Sequence, residues 1–109
     1  HKEYDLLYKL YNDEIIISDS DKREFFSLCG EYGSSAPERL GLTSVSPAQD
    51  LIDKALEREK YWRKQVALEP DPEEREWMNI ILTSYSRLRY KLQLMKYQYE
   101  QSKAFLFNE

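Results

Sequence analysis

The residues in this chain that could do chemistry are few, and their spacing excludes most of it. His1 is the sole histidine and stands at the terminus. Histidine is the usual acid–base group near neutral pH, so a Ser-His or Cys-His arrangement is not expected. Helical ribonuclease types that rest on an arginine with a nearby downstream histidine are excluded on the same ground. Cys29 is the sole cysteine and falls on an apolar helical face, which suits a small core residue. Carboxylates cluster at Asp19/Asp21, Glu57/Glu59 and Glu73/Glu74/Glu76. A helical di-metal site needs Glu-x-x-His pairs, and none is present. Asp13 to Asp21 lacks the acidic spacing and central glycine of a calcium loop. These acids read as solvated faces or helix-capping charges. No catalytic residue, metal or cofactor is expected.

What remains is a basic and aromatic row. Arg89, Lys96 and Lys103 recur every seven residues, and Tyr90 and Tyr97 recur at the same interval on another side of the helix. Between Thr83 and Ala104 five basic residues face one acid, Glu100. Such a strip could contact phosphates and stack bases. The ordinary alternative is that charges flanking a helical seam pair with a neighbouring helix. The amino-terminal half offers acids for that role. Residues 1–53 carry 5 basic and 11 acidic residues, a balance of −6, whereas residues 54–109 carry 11 and 9, a balance of +2. A net charge of −4 also disfavours a generic nucleic-acid binder.

The element that positions this row is long. Pro72 to Phe107 contains no further Gly or Pro. Met78, Ile81, Tyr85, Leu88, Leu92, Met95 and Tyr99 fall at alternating spacings of three and four, a heptad seam on a continuous helix. Asp71 suits its N-cap and Pro72 its first position. Upstream, Ser46-Pro47-Ala48-Gln49 predicts a capping box, with Ser46 as N-cap, opening a helix over Pro47–Leu68. Its inward face is Ala48, Leu51, Ile52, Ala55, Leu56, Trp62 and Val66, interrupted by Glu59. Glu69-Pro70-Asp71-Pro72 forces a tight turn, so the two helices form an antiparallel hairpin.

Two shorter helices precede them. One spans Lys2 to Asp13, with Leu6, Leu7 and Leu10 beside Tyr4, Tyr8 and Tyr11. The other follows the cap-rich Ser18-Asp19-Ser20-Asp21 and runs to about Tyr32, with Phe25, Leu28, Cys29 and Tyr32 inward and Gly33 as its stop. Ile15-Ile16-Ile17 between them reads as a buried connector or a helix end, and Glu38-Arg39-Leu40 as one helical turn ending at Gly41. The expected fold is all-α and four-helix bundle-like: a long hairpin with the two amino-terminal helices on its open end. The 109 residues suit a single domain, or an accessory module of a larger multidomain protein.

At about 1.5 Å per residue the last helix is roughly 54 Å long and its partner roughly 33 Å. The partner therefore covers the seam only to about Leu94, while apolar residues continue through Met95, Tyr99, Phe105, Leu106 and Phe107. Either the acidic amino-terminal half or another chain must cover this overhang. Trp77 lies beside the seam and Tyr90 and Tyr97 away from it; such surplus aromatics mark either a protein interface or a second packing layer formed by the amino-terminal helices. The function expected is a non-enzymatic interaction, regulatory or assembly domain. Tyr90, Tyr97, Phe105 and Phe107 are the contact aromatics, and Arg89, Lys96 and Lys103 the charged selectors. The partner is another protein or a second copy. Nucleic-acid binding through the same row is the alternative. No apolar run approaches the ~20 residues of a membrane span, and a lone cysteine suits a cytoplasmic setting.

Overall fold

The computed structural model describes residues 2–15 and 17–107, with only the backbone given for Leu106 and Phe107. Five helices follow in order: α1 (Lys2–Tyr11), α2 (Asp19–Leu28), α3 (Ala36–Arg39), α4 (Ala48–Leu68) and α5 (Pro72–Phe107). The all-α hairpin is as expected, and α4 against α5 is its dominant packing.

The Pro70 turn is built by its own side chains. The Asp71 carboxylate accepts from the Glu73 amide at 3.0 Å, and Glu69 accepts from the Asp71 amide at 3.1 Å. Arg75 reaches back to the Glu69 carbonyl at 3.2 Å. First-turn amides and a last-turn carbonyl that the helices leave open are satisfied this way. The seam then buries Ile81, Tyr85, Leu88 and Leu92 against Leu51, Ile52, Ala55 and Trp62.

The short helices end by one shared device. After α2, the Gly30 amide donates to Ser27 and the Glu31 amide to the Phe26 carbonyl, both at 3.0 Å. This Schellman closure needs a left-handed residue, which Gly30 supplies at φ +87°. α2 therefore stops at Leu28 rather than near Tyr32, and Tyr32 is exposed. The same closure ends α1, where Asp13 takes the left-handed position at φ 52° and the Glu14 amide donates to Lys9 at 2.9 Å. It also ends α3, as the single turn expected before Gly41.

The start of α4 differs from expectation. Pro47 is extended, with ψ 151°, so it is the N-cap and not the first helical residue. Ser46 makes no cap bond; its hydroxyl lies 3.2 Å from that of Thr43. Gln49 is drawn to Asp53 at 2.8 Å instead of closing a box. Ala48 is exposed, not inward.

The amino-terminal helices sit on the closed end of the hairpin, not the open one. Trp62 and Trp77 flank the turn, and Phe25 of α2 packs on both, with ring centroids 5.1 and 5.3 Å away. Trp77 is consequently core, in a second packing layer formed by the amino-terminal helices beside the seam. α1 lies along the turn-proximal half of α5, where Glu3 accepts from the Ser84 hydroxyl at 2.6 Å. Ile15 and Ile17 pack against the same core, and Ile16 lies outside the described residues. Large aromatics near the turn thus decide which end the acidic half covers.

Candidate functional site

Three places carry enough polar or apolar character to be weighed as sites. The first centres on Glu24 of α2. Its carboxylate accepts from Arg58 through two bonds of 2.9 Å, from the Trp62 indole at 3.1 Å and from the Tyr85 hydroxyl at 2.6 Å. Three of these donors converge on Oε2 and one on Oε1, so the carboxylate is committed to joining the three helices. Burial and the neighbouring Glu24 charge push the Tyr85 phenol far above its ordinary range. The Arg58 guanidinium stacks on Tyr61 at 4.4 Å and is held charged: burial opposes this, but bonding to Glu24 outweighs it. The cluster ties α2 to both arms of the hairpin.

The second centres on Glu59, which is fully buried. This corrects the reading of Glu59 as part of a solvated acidic face. Arg89 donates to it through Nε and, at 3.1 Å, through Nη2; Ser86 donates its hydroxyl; Arg63 lies 3.6 Å away. Burial alone would raise the carboxyl pKa, but the bonds from Arg89 and Ser86 and the charges of Arg89 and Arg63 lower it. Glu59 occupies an inward position of α4 and faces the basic row of α5. That juxtaposition was the available sequence signal for an internal ion pair.

Cys29 is half-buried, and burial pushes its thiol up to about 12, so thiolate chemistry is disfavoured. No group of His, Cys, Asp and Glu among the described residues could hold a metal ion. A cleft between α1 and α5 is lined by Lys2, Glu3, Glu76, Asn79 and Arg87, whose charges balance and select no ligand class.

The third place is the far end of α5. Lys96 donates to the Gln49 side chain, one residue inside the start of α4, and lies 3.8 Å from Glu100. Beyond it no helix among the described residues covers α5, and residues 97–105 are all exposed. Met95 and Tyr99 continue the seam that is buried up to Leu92, yet they are 64% and 68% exposed. Phe105 is 70% exposed, and Tyr90 and Tyr97 are exposed on another side. Lys103 is exposed and takes part in none of the ion pairs among the described residues. The Phe107 side chain lies outside those described.

The basic row is therefore divided. Arg89 is committed to Glu59 and, at 2.8 Å, to Gln93, and Lys96 to Gln49. The acids of the amino-terminal half do not serve it. Glu24 pairs with Arg58, Asp13 with Lys22 at 3.3 Å, and Glu31 accepts from Tyr11 at 2.8 Å. Tyr97 and Phe105 lie on the uncovered segment as expected. Met95 and Tyr99, expected in the overhang as the continuing seam, lie on the same segment and are exposed there.

No protein-family model, no curated protein and no solved structure matches the chain. No helix is long and apolar enough to cross a membrane among the described residues.

Proposed function

We propose that this chain is a non-enzymatic helical interaction module with a regulatory or assembly role, and that the overhang of α5 is its contact surface. One observation carries the reading: the apolar seam of α5 outruns α4. Ile81, Tyr85, Leu88 and Leu92 are buried, whereas Met95 and Tyr99, next in the same register, are exposed. A partner helix laid there would bury them as α4 buries the others, at about 25 cal/mol per Å² of apolar surface removed from water. Phe105 and Lys103 flank that seam, and Tyr90 and Tyr97 supply aromatic surface on another side. A helical segment of this length has marginal stability by itself in water, so a partner would also stabilise it.

Phosphate contact is the weaker use of the row, since Arg89 and Lys96 already donate to acceptors within the chain. The test uses a synthetic three-heptad helix with Leu at the seam positions and Gln on both flanks. It is expected to bind the wild-type chain and to lose at least about tenfold in affinity against Met95→Ser/Tyr99→Ser, at unchanged helicity by circular dichroism. Equal binding to both proteins, or no binding to wild type, contradicts the proposal.

A further inference from the structure

The internal partners of the basic row indicate what an external partner must offer. Arg89, Lys96 and Lys103 are spaced by seven on one flank of the α5 seam. The first donates to the Glu59 carboxylate and the second to the Gln49 amide oxygen, both on α4, the helix packed beside them. Lys103 is the third member, and α4 begins at Ala48, short of it. It is exposed, with no ion pair among the described residues. Where a helix lies beside this row, it presents side-chain oxygens to it.

We infer that the occupant of the α5 overhang is an acidic amphipathic helix, with an apolar seam against Met95 and Tyr99 and carboxylates flanking that seam. This rests on the overhang being a contact surface. Charge decides against a second copy as the occupant. A symmetric antiparallel pairing of two overhangs sets the flank bearing Lys96 and Lys103 against its own copy. A parallel pairing brings Lys91, just before the overhang on the other flank, near Lys96 of the second copy, and offers Lys103 only the neutral Gln98. Like charges at flanking positions repel, and positions of this kind set partner choice in helical pairs. The overhang itself offers only Glu100 in return, and Glu100 lies beside Lys96. A helix with carboxylates on its flanks meets no such repulsion and gives Lys103 a charged acceptor, as Glu59 gives Arg89.

The experiment compares two three-heptad peptides with Leu at the seam, one with Glu and one with Lys on both flanks. Each repels itself and so stays monomeric at working concentration. Binding to the full chain is followed by fluorescence anisotropy at low salt and near 1 M salt. Exposed ion pairs are individually weak, so several together are expected to favour the Glu peptide by roughly tenfold at low salt. The preference should shrink towards unity near 1 M salt, where the screening length is about 3 Å. Lys103→Glu is expected to weaken the Glu peptide by about fourfold. Lys64→Glu, an exposed change on α4 near the turn, should leave it unaltered. Equal affinity for the Glu and Lys peptides overturns the acidic partner while leaving the contact surface standing. An equal loss from Lys64→Glu and Lys103→Glu also overturns it, since attraction would then follow net charge alone. If neither these peptides nor the Gln-flanked one binds, the contact surface fails, and this inference fails with it.

Discussion

The Lys96 ammonium group donates to the Gln49 side-chain oxygen at the second residue of α4. This bond marks where the two arms of the hairpin part. Up to Leu92, about one turn before it, the α5 seam is core; from Met95 onward the same seam faces water. The division follows from helix lengths, 21 residues for α4 against 36 for α5, and from the docking of α1 and α2 at the opposite end.

The overhang should therefore be dispensable for folding. Among the described residues, no buried core residue lies beyond Leu92. Removing residues 98–109 is expected to shift the melting temperature by less than about 4 °C, the effect of roughly 1 kcal/mol in a domain of this size. Thermal unfolding by circular dichroism checks this. A drop of more than about 10 °C would place the segment in the cooperative core.

The Glu59–Arg89 pair should matter more than a surface ion pair. Arg89→Ala leaves Glu59 buried with only Ser86 and the more distant Arg63, and is expected to destabilise by about 3 kcal/mol. The pair also predicts an acid limb. Its folded carboxyl pKa lies below the ordinary glutamate value, so its contribution is present above that range and is lost as pH falls through the folded pKa. Urea titrations between neutral pH and pH 3 should show stability falling, with a shallower fall in Glu59→Gln. An identical pH profile in the variant would contradict the assignment.

Tyr85 predicts the opposite limb. Its phenol is raised, mainly by burial and then by the Glu24 charge, so the folded state favours the protonated form. The sign reverses: its contribution is full below the ordinary phenol value of 10.0 and is lost as pH rises towards the folded value. The expected slope is about 1.4 kcal/mol per pH unit above that point. Tyr85→Phe removes the donor to Glu24, which keeps Arg58 and Trp62. The substitution should cost about 2 kcal/mol at neutral pH, typical of a bond to a charged group, and should flatten the alkaline limb. Denaturant titrations of both proteins from pH 8 to 11 measure both effects, and an unflattened limb in the variant would refute the second.

Much of the fold could be read from the sequence because it is local. The Pro72–Phe107 helix has no breaker, and Asp71 caps it as expected. The seam spacing identified Ile81, Tyr85, Leu88 and Leu92 as core. Helix length alone located the overhang. What could not be read is set by tertiary choices. The docking end of α1 and α2 depends on Phe25 meeting Trp62 and Trp77, residues that no periodicity links. The early stop of α2 depends on Gly30 rather than Gly33 closing the turn, and both are glycines. Glu59 looks like a surface charge until Arg89 and Ser86 are brought opposite it. The division of the basic row into engaged and free members followed from the same unseen partners, so Arg89 and Lys103 looked alike in sequence.

Amide hydrogen exchange along α5 separates an uncovered helix end from a packed one. An uncovered helix end opens easily, whereas the segment paired with α4 opens only with the core. In the free chain, amides of residues 97–107 should exchange at least about a hundredfold faster than those of residues 81–92. With the Glu-flanked peptide at saturation, residues 97–107 should slow by at least about tenfold while 81–92 hold nearly unchanged. Core-like protection of residues 97–107 in the free chain, or no slowing when the peptide is present, would contradict the account.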